Sequence, residues 1–207
     1  MRHAVLPDVA SEEITDGEVV LRFQSLGDNC EFGIVQRLCG VEPLGLARFA
    51  ALHHQQLIQL LSTRLEKLGD DVELFVGSDG REYHVRDRTY GLHYHTCYYV
   101  DQIEADKLLP KARMHLAYLK RKFQEDLEEG KCIWVIKRNS PLPLDIIVHV
   151  HELLLRFGPN RLMWVVEPHG VHREGTVSPI RPGLIQGRVA RLAPYQRATA
   201  ADSPALV

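Results

Sequence analysis

The sequence predicts a single α/β domain: a central, mainly parallel sheet flanked by helices, with a small antiparallel extension. Three observations carry this. Cys132–Arg138 and Arg161–Glu167 are nearly continuous apolar runs, the signature of strands covered on both faces, and a helical pattern over Leu144–Phe157 lies between them. Strand, helix and strand joined by short connections make a βαβ unit, right-handed by the general rule. Between Val72–Gly77 and Glu82–Arg86, Ser78-Asp79-Gly80 has the composition of a hairpin turn, which supplies the antiparallel part.

Taken in order, residues 1–17 carry Pro7, Ser11, Thr15 and several acids without a period, and read as a flexible leader. The domain spans 18–194. A first strand is written by Val19, Leu21 and Phe23 alternating with Val20, Arg22 and Gln24. Gly27 permits a turn, Asp28 or Asn29 can cap the next helix, and that helix sets Phe32, Val35, Gln36 and Cys39 on one side before Gly40 ends it. Leu46–Leu68 is expected to be one long amphipathic helix. Within it His53 and His54 point in different directions, so they read as polar-face or interface residues and not as a shared metal site.

Tyr90–Val100 has strand composition, which places His93, His95 and Cys97 on one face and Tyr94, Thr96 and Tyr98 on the other. That is three potential metal ligands in a row. Residues two apart in a strand are roughly 6.5–7 Å apart, a spacing that suits two ligands on one ion better than three. Ile103–Glu129 reads as a long helix with a solvated, charged face. Pro168-His169-Gly170-Val171-His172 follows the second apolar strand, at the end where ligand loops of open α/β sheets lie, so His169 and His172 are the runner-up bases for a Cys30 nucleophile. Val177–Leu192 reads as a short β segment bent at Gly183 and Gly187, and residues 195–207 as a disordered tail.

With 207 residues, 45% hydrophobic and 25% charged, the chain can bury one real core. A net charge of -2 gives no electrostatic case for nucleic acid or an anionic membrane surface. No stretch approaches the ~20 apolar residues of a membrane span, and the first 17 residues are too polar for a signal peptide. Four cysteines are too few for a disulfide scaffold at this length, so a reduced, cytoplasmic setting with Cys30 free is expected. A dinucleotide-binding glycine fingerprint, a phosphate-binding P-loop and a Gly-x-Ser-x-Gly elbow are all missing, and no cofactor is expected.

Cys30 is the residue best placed for chemistry. A thiol at a helix N-terminus meets backbone N–H groups and the positive end of the helix dipole, which favour thiolate and can hold an oxyanion. The alternative is a small, buried, inert apolar residue. Glu31 next to it would raise the thiol pKa if its carboxylate pointed into the site.

The run Ser25-Leu26-Gly27-Asp28-Asn29-Cys30-Glu31-Phe32-Gly33, with Gln36-Arg37 and Glu42–Ala50, resembles a bacterial family of papain-like cysteine peptidases of unknown function, marked by Ser-Leu-Gly-x-x-Cys. Further points of likeness are the His95 region, His115–Phe123 and Gly183–Gly187, so the resemblance runs from about Phe23 to Pro194. It implies Cys30 as nucleophile and His95 as its base, with His93 a neighbour or alternative base. Asn29 would help the oxyanion hole, and Asp101 is either the orienting third member or a solvated turn residue. Asp28, Arg37, Arg48, His93 and His169 would line the substrate site. The turn is also similar to the nucleophile turn of SGNH-type esterases, with cysteine for serine. The expected function is a cysteine-nucleophile hydrolase or acyltransferase acting on a small molecule or bacterial glycan. The alternatives are a non-catalytic binding module, or a metal site at His93, His95 and Cys97. Papain-like folds pair a helical half with an antiparallel half, so the βαβ unit and the family resemblance point to different architectures.

Overall fold

The computed structural model describes residues 13–170 and 173–193. Most of the expected leader, His172 and the tail over 195–207 lie outside the described residues.

Two sheets organise the fold. One has five strands: β1 (Phe23–Ser25), β6 (Ile133–Lys137), β7 (Arg161–Val166), β9 (Leu184–Arg188) and β8 (Val177–Arg181), in that spatial order. The first four are mutually parallel, and β8 adds antiparallel to β9 at the edge. The other sheet is antiparallel, in the order β2 (Ala50–Ala51), β5 (His93–Tyr99), β4 (Glu82–Asp87) and β3 (Val72–Val76). The α/β architecture read from the sequence is therefore present, with α5 (Leu144–Leu155) as the helix of the βαβ unit.

The apolar strands explain why the parallel sheet is covered on both faces. In β6, Trp134 and Ile136 join the main core, while Val135 joins a smaller cluster with Phe32 and Val165. The main core is filled from α5, from α4 (Ala105–Glu129) and from α3 (His54–Ser62). The smaller cluster is covered by α2 (Glu31–Leu38), whose Phe32 packs edge-on against Phe23 with ring centroids 6.4 Å apart. Among the described residues no helix is long and apolar enough to cross a membrane.

Three local expectations are corrected. The strand expected from Val19 begins only at Phe23, because Asp16–Val20 form a short helix, α1. Its cause is a capping box: Glu18 N donates to Thr15 Oγ1 at 3.2 Å, and Thr15 N donates to Glu18 Oε2 at 2.8 Å. The long helix expected over Leu46–Leu68 is broken: residues 46–49 form a turn, β2 follows, and α3 covers only His54–Ser62. Gln56 Oε1 accepts from His53 N at 3.0 Å and starts that helix afresh, while Arg64 and Leu65 at positive φ end the helical path beyond it. Seven residues lie between Phe49 and Leu57, the next position of the stripe, and β2 falls in that gap. Finally, Gly187 is not a bend. It pairs with Val165 inside β9, and the β8–β9 turn falls at Gly183, φ 79°.

Candidate active site

The site grows from the carboxyl ends of β1, β6 and β7, which lie side by side. Beyond β1, Leu26 N donates to Val135 O at 2.9 Å, and the chain then turns through Gly27 (φ 83°) and Asp28 (φ 98°). Asp28 is not glycine, so this backbone is held only where its surroundings over-determine it. They do: Arg138 Nη1 donates to Asp28 Oδ1 at 2.7 Å, and Asn139 N donates to Asp28 Oδ2 at 3.2 Å. Arg138 Nη1 also reaches Leu52 O at 2.6 Å, tying the turn to the segment that follows β2. Burial pulls the Arg138 guanidinium below its ordinary pKa, and the Asp28 carboxylate opposes that pull. Its Nε and Nη2 are buried without a hydrogen-bond partner among the described residues.

Cys30 itself takes the N-cap position of α2 and is partly buried. The capping bond expected of Asp28 or Asn29 as N-cap is made from one residue earlier: Asn29 Oδ1 accepts from Glu31 N at 3.0 Å. Asn29 Nδ2 donates to Asn139 Oδ1 at 3.1 Å, so this amide also clasps the neighbouring loop. The N–H groups of Phe32 and Gly33 belong to the first helical turn, which has no intrahelical acceptors for them. Glu31 does not face the thiol's surroundings as an open charge. Lys137 Nζ lies 3.0 Å from Glu31 Oε2, an ion pair with both side chains about nine-tenths buried, although its angle falls short of a hydrogen bond.

Gly33 sets how closely α2 can approach the next loop. A Cβ there would lie 2.9 Å from Arg48 O and inside contact distance of the Phe49 ring. Gly33→Ala should destabilise the fold by about 1–3 kcal/mol through overpacking. Chemical denaturation against the wild type checks this, and an unchanged midpoint would show that the 48–49 backbone yields freely.

Other residues singled out in the sequence have definite places. Arg48 is buried: it pairs with Glu42, donates to Pro43 O, Gly33 O and Val41 O, and lies over the Phe49 ring. Arg37 pairs with the same Glu42 at 2.6 Å and also covers Phe49. Both arginines therefore staple the α2–β2 connection. His169 is exposed in the segment after β7, at the same sheet edge as the Cys30 turn. Asp101 is exposed in the turn after β5.

His93 and His95 part company. His93 pairs in register with Ala51 on β2 and with Arg86 on β4. Ala51 adjoins Leu52, whose carbonyl holds Arg138, and a Cβ on Gly27 would rest 3.4 Å from Leu52 Cβ. His93 is thus the strand histidine nearest in register to the Cys30 turn. Burial, and then the Arg86 charge, hold its imidazole below the ordinary histidine pKa. His95 is two residues further along, with Nδ1 2.9 Å from Glu82 Oε2 and its ring centroid 4.2 Å from that of His84. His93, His95 and Cys97 do not come together as three ligand groups; among the described residues, only Glu82, His84 and His95 bring three such groups within 4.8 Å of one another. Cys97 leaves the strand's alternation at φ 59°, and His93 faces Arg86.

Arg138, Asn139 and Lys137 were not anticipated as site residues. They directly follow or end an apolar strand, so the rule that ligands gather at strand carboxyl ends, applied to β6 as it is to β7, points to them. With Pro141, Leu142 and Glu167 they line a cavity of about 120 Å³ beside the turn. Burial lifts the Cys132 thiol to about 11, as suits a structural cysteine. No protein-family model, curated protein or solved structure significantly matches the chain, so the likeness to papain-like peptidases rests on the residues that carry it.

Proposed function

We propose that the chain is a cysteine-nucleophile hydrolase or acyltransferase acting on an acyl group of a small molecule or glycan. The observation that carries this reading is the position of Cys30: at the N-cap of α2, at the carboxyl edge of a parallel sheet, with the Glu31 carboxylate drawn off to Lys137. The resemblance of the Ser-Leu-Gly-x-x-Cys turn supports the same role. Cys30 Sγ bonds to the acyl carbon while His93 takes the thiol proton. The first-turn N–H groups of α2 receive the carbonyl oxygen as it becomes an oxyanion. The leaving oxygen or nitrogen departs with the proton from His93. Water or an acceptor hydroxyl, giving its proton to His93, then cleaves the thioester and frees Cys30. His93 suits the base role because its lowered pKa keeps it neutral near pH 7.

The test is the pH dependence of alkylation, read separately at each cysteine by mass spectrometry. Cys30 should label fastest, with an apparent pKa well below the model thiol value of about 8.5. His93→Asn should slow Cys30 at pH 7 about tenfold, one unit of thiol pKa. The same loss in His95→Asn instead would return the base role to His95. A Cys30 profile matching that of Cys132 would end the nucleophile reading.

A further inference from the structure

We propose that Glu82, His84 and His95, on the outer face of the antiparallel sheet, bind a divalent transition-metal ion of the zinc type. The ligand atoms of the three side chains all lie within 4.8 Å of one another. Two imidazole nitrogens and a carboxylate oxygen are a donor set that zinc accepts, and three protein ligands leave its fourth position open.

The site is built by the strand pairing. His84 and His95 are direct cross-strand partners, and a register shift between Glu82 and His84 lets the carboxylate turn toward both rings. Glu82 Oε1 accepts from Cys97 N at 2.9 Å, a bond made at the point where Cys97 turns to positive φ. That anchor fixes one carboxylate oxygen and presents the other, Oε2, 2.9 Å from His95 Nδ1 and 4.0 Å from His84 Nε2. Outer groups that orient a ligand in this way are characteristic of metal sites. His84 is steadied from the far side by Phe75, ring centroids 5.3 Å apart. Gly77 leaves room for it, since a Cβ there would come within 2.6 Å of His84 Nε2.

The charge balance points the same way. The Glu82 side chain is only 13% exposed, and its ion-pair partners among the described residues are the two imidazoles, with no lysine or arginine. A largely enclosed carboxylate with no fixed positive charge beside it favours a bound cation. Bonds of about 2.0–2.1 Å set tetrahedral ligands roughly 3.3 Å apart. Rotation of His95, whose side chain is 56% exposed, can close the remaining gap.

Titration calorimetry of the chelator-stripped full chain with zinc chloride tests this. Wild type should bind one equivalent saturably, and His95→Ala should weaken binding at least about tenfold. His84→Ala should do the same, with circular dichroism checking that its half-buried site still folds. His93→Ala should leave zinc affinity unchanged. No saturable binding, or an affinity indifferent to His95→Ala, would overturn the site. A loss in His93→Ala equal to that in His95→Ala would assign the ion to a different ligand set and overturn this one.

Discussion

Asn160→Ala should lower the stability of the chain by about 3–5 kcal/mol, the largest loss expected from any substitution away from the sheet edge. Asn160 is fully buried, and its amide joins three elements. Its Oδ1 accepts from Trp134 Nε1 at 2.8 Å, and its Nδ2 donates to Leu127 O at 2.6 Å and Leu154 O at 2.9 Å. Those carbonyls lie in the last turns of α4 and α5, where helices run out of donors of their own. Alanine would strand an indole N–H inside the core with no water to take it, and each orphaned group costs about 1–3 kcal/mol. Urea denaturation followed by tryptophan fluorescence measures the effect. A change below about 1 kcal/mol would mean that water enters to replace the amide.

Arg138→Met should cost a comparable amount, about 3–5 kcal/mol, for a different reason. It removes one member of a buried ion pair, with the Arg138 and Asp28 side chains 6% and 15% exposed, and leaves the carboxylate uncompensated. It also frees Leu52 O and removes the clamp on the positive-φ turn, so the effect reaches Cys30. The second variant Asp28→Asn separates the two contributions. Adding it to Arg138→Met should recover part of the lost stability, because the stranded charge is gone. Cys30 alkylation should change in both single variants while that of Cys132 stays slow. A double variant no more stable than Arg138→Met alone would show that the clamp on Leu52, and not the ion pair, holds the turn.

The βαβ unit was legible because its signals are local: apolar runs of strand length around a helical period. So was the Asp79-Gly80 turn. The breaks were harder to see. The Thr15–Glu18 capping box is written in the sequence, but the alternation of Val19 through Gln24 masks it. The stripe from Leu46 to Leu68 survives as burial of Leu46, Leu57, Leu60, Leu61, Leu65 and Leu68 although the helix does not. Periodicity reports which residues face the core and is silent on whether the backbone between them stays helical. Cys30 stood out through its turn, whereas Glu82 and His84 carry no local signal. They become a group with His95 only because the hairpin places β4 beside β5 in one particular register. Asn160 reads locally as a helix stop, and its partners at Trp134 and Leu127 are visible only after folding.

The distance along the chain between the two halves of the Cys30 clamp has a kinetic meaning. Asp28 and Arg138 are 110 residues apart, and among the described residues β1 pairs only with β6 in the parallel sheet. The antiparallel sheet and α4, all encoded between them, can form from contacts that are shorter in sequence. The first strand must wait until most of the polypeptide has emerged from the ribosome before its edge exists to join. High contact order of this kind slows folding, and closure of so long a loop is deferred until the intervening units can reward it. Assembly of the Cys30 turn therefore follows, and does not precede, closure of the long loop between β1 and β6.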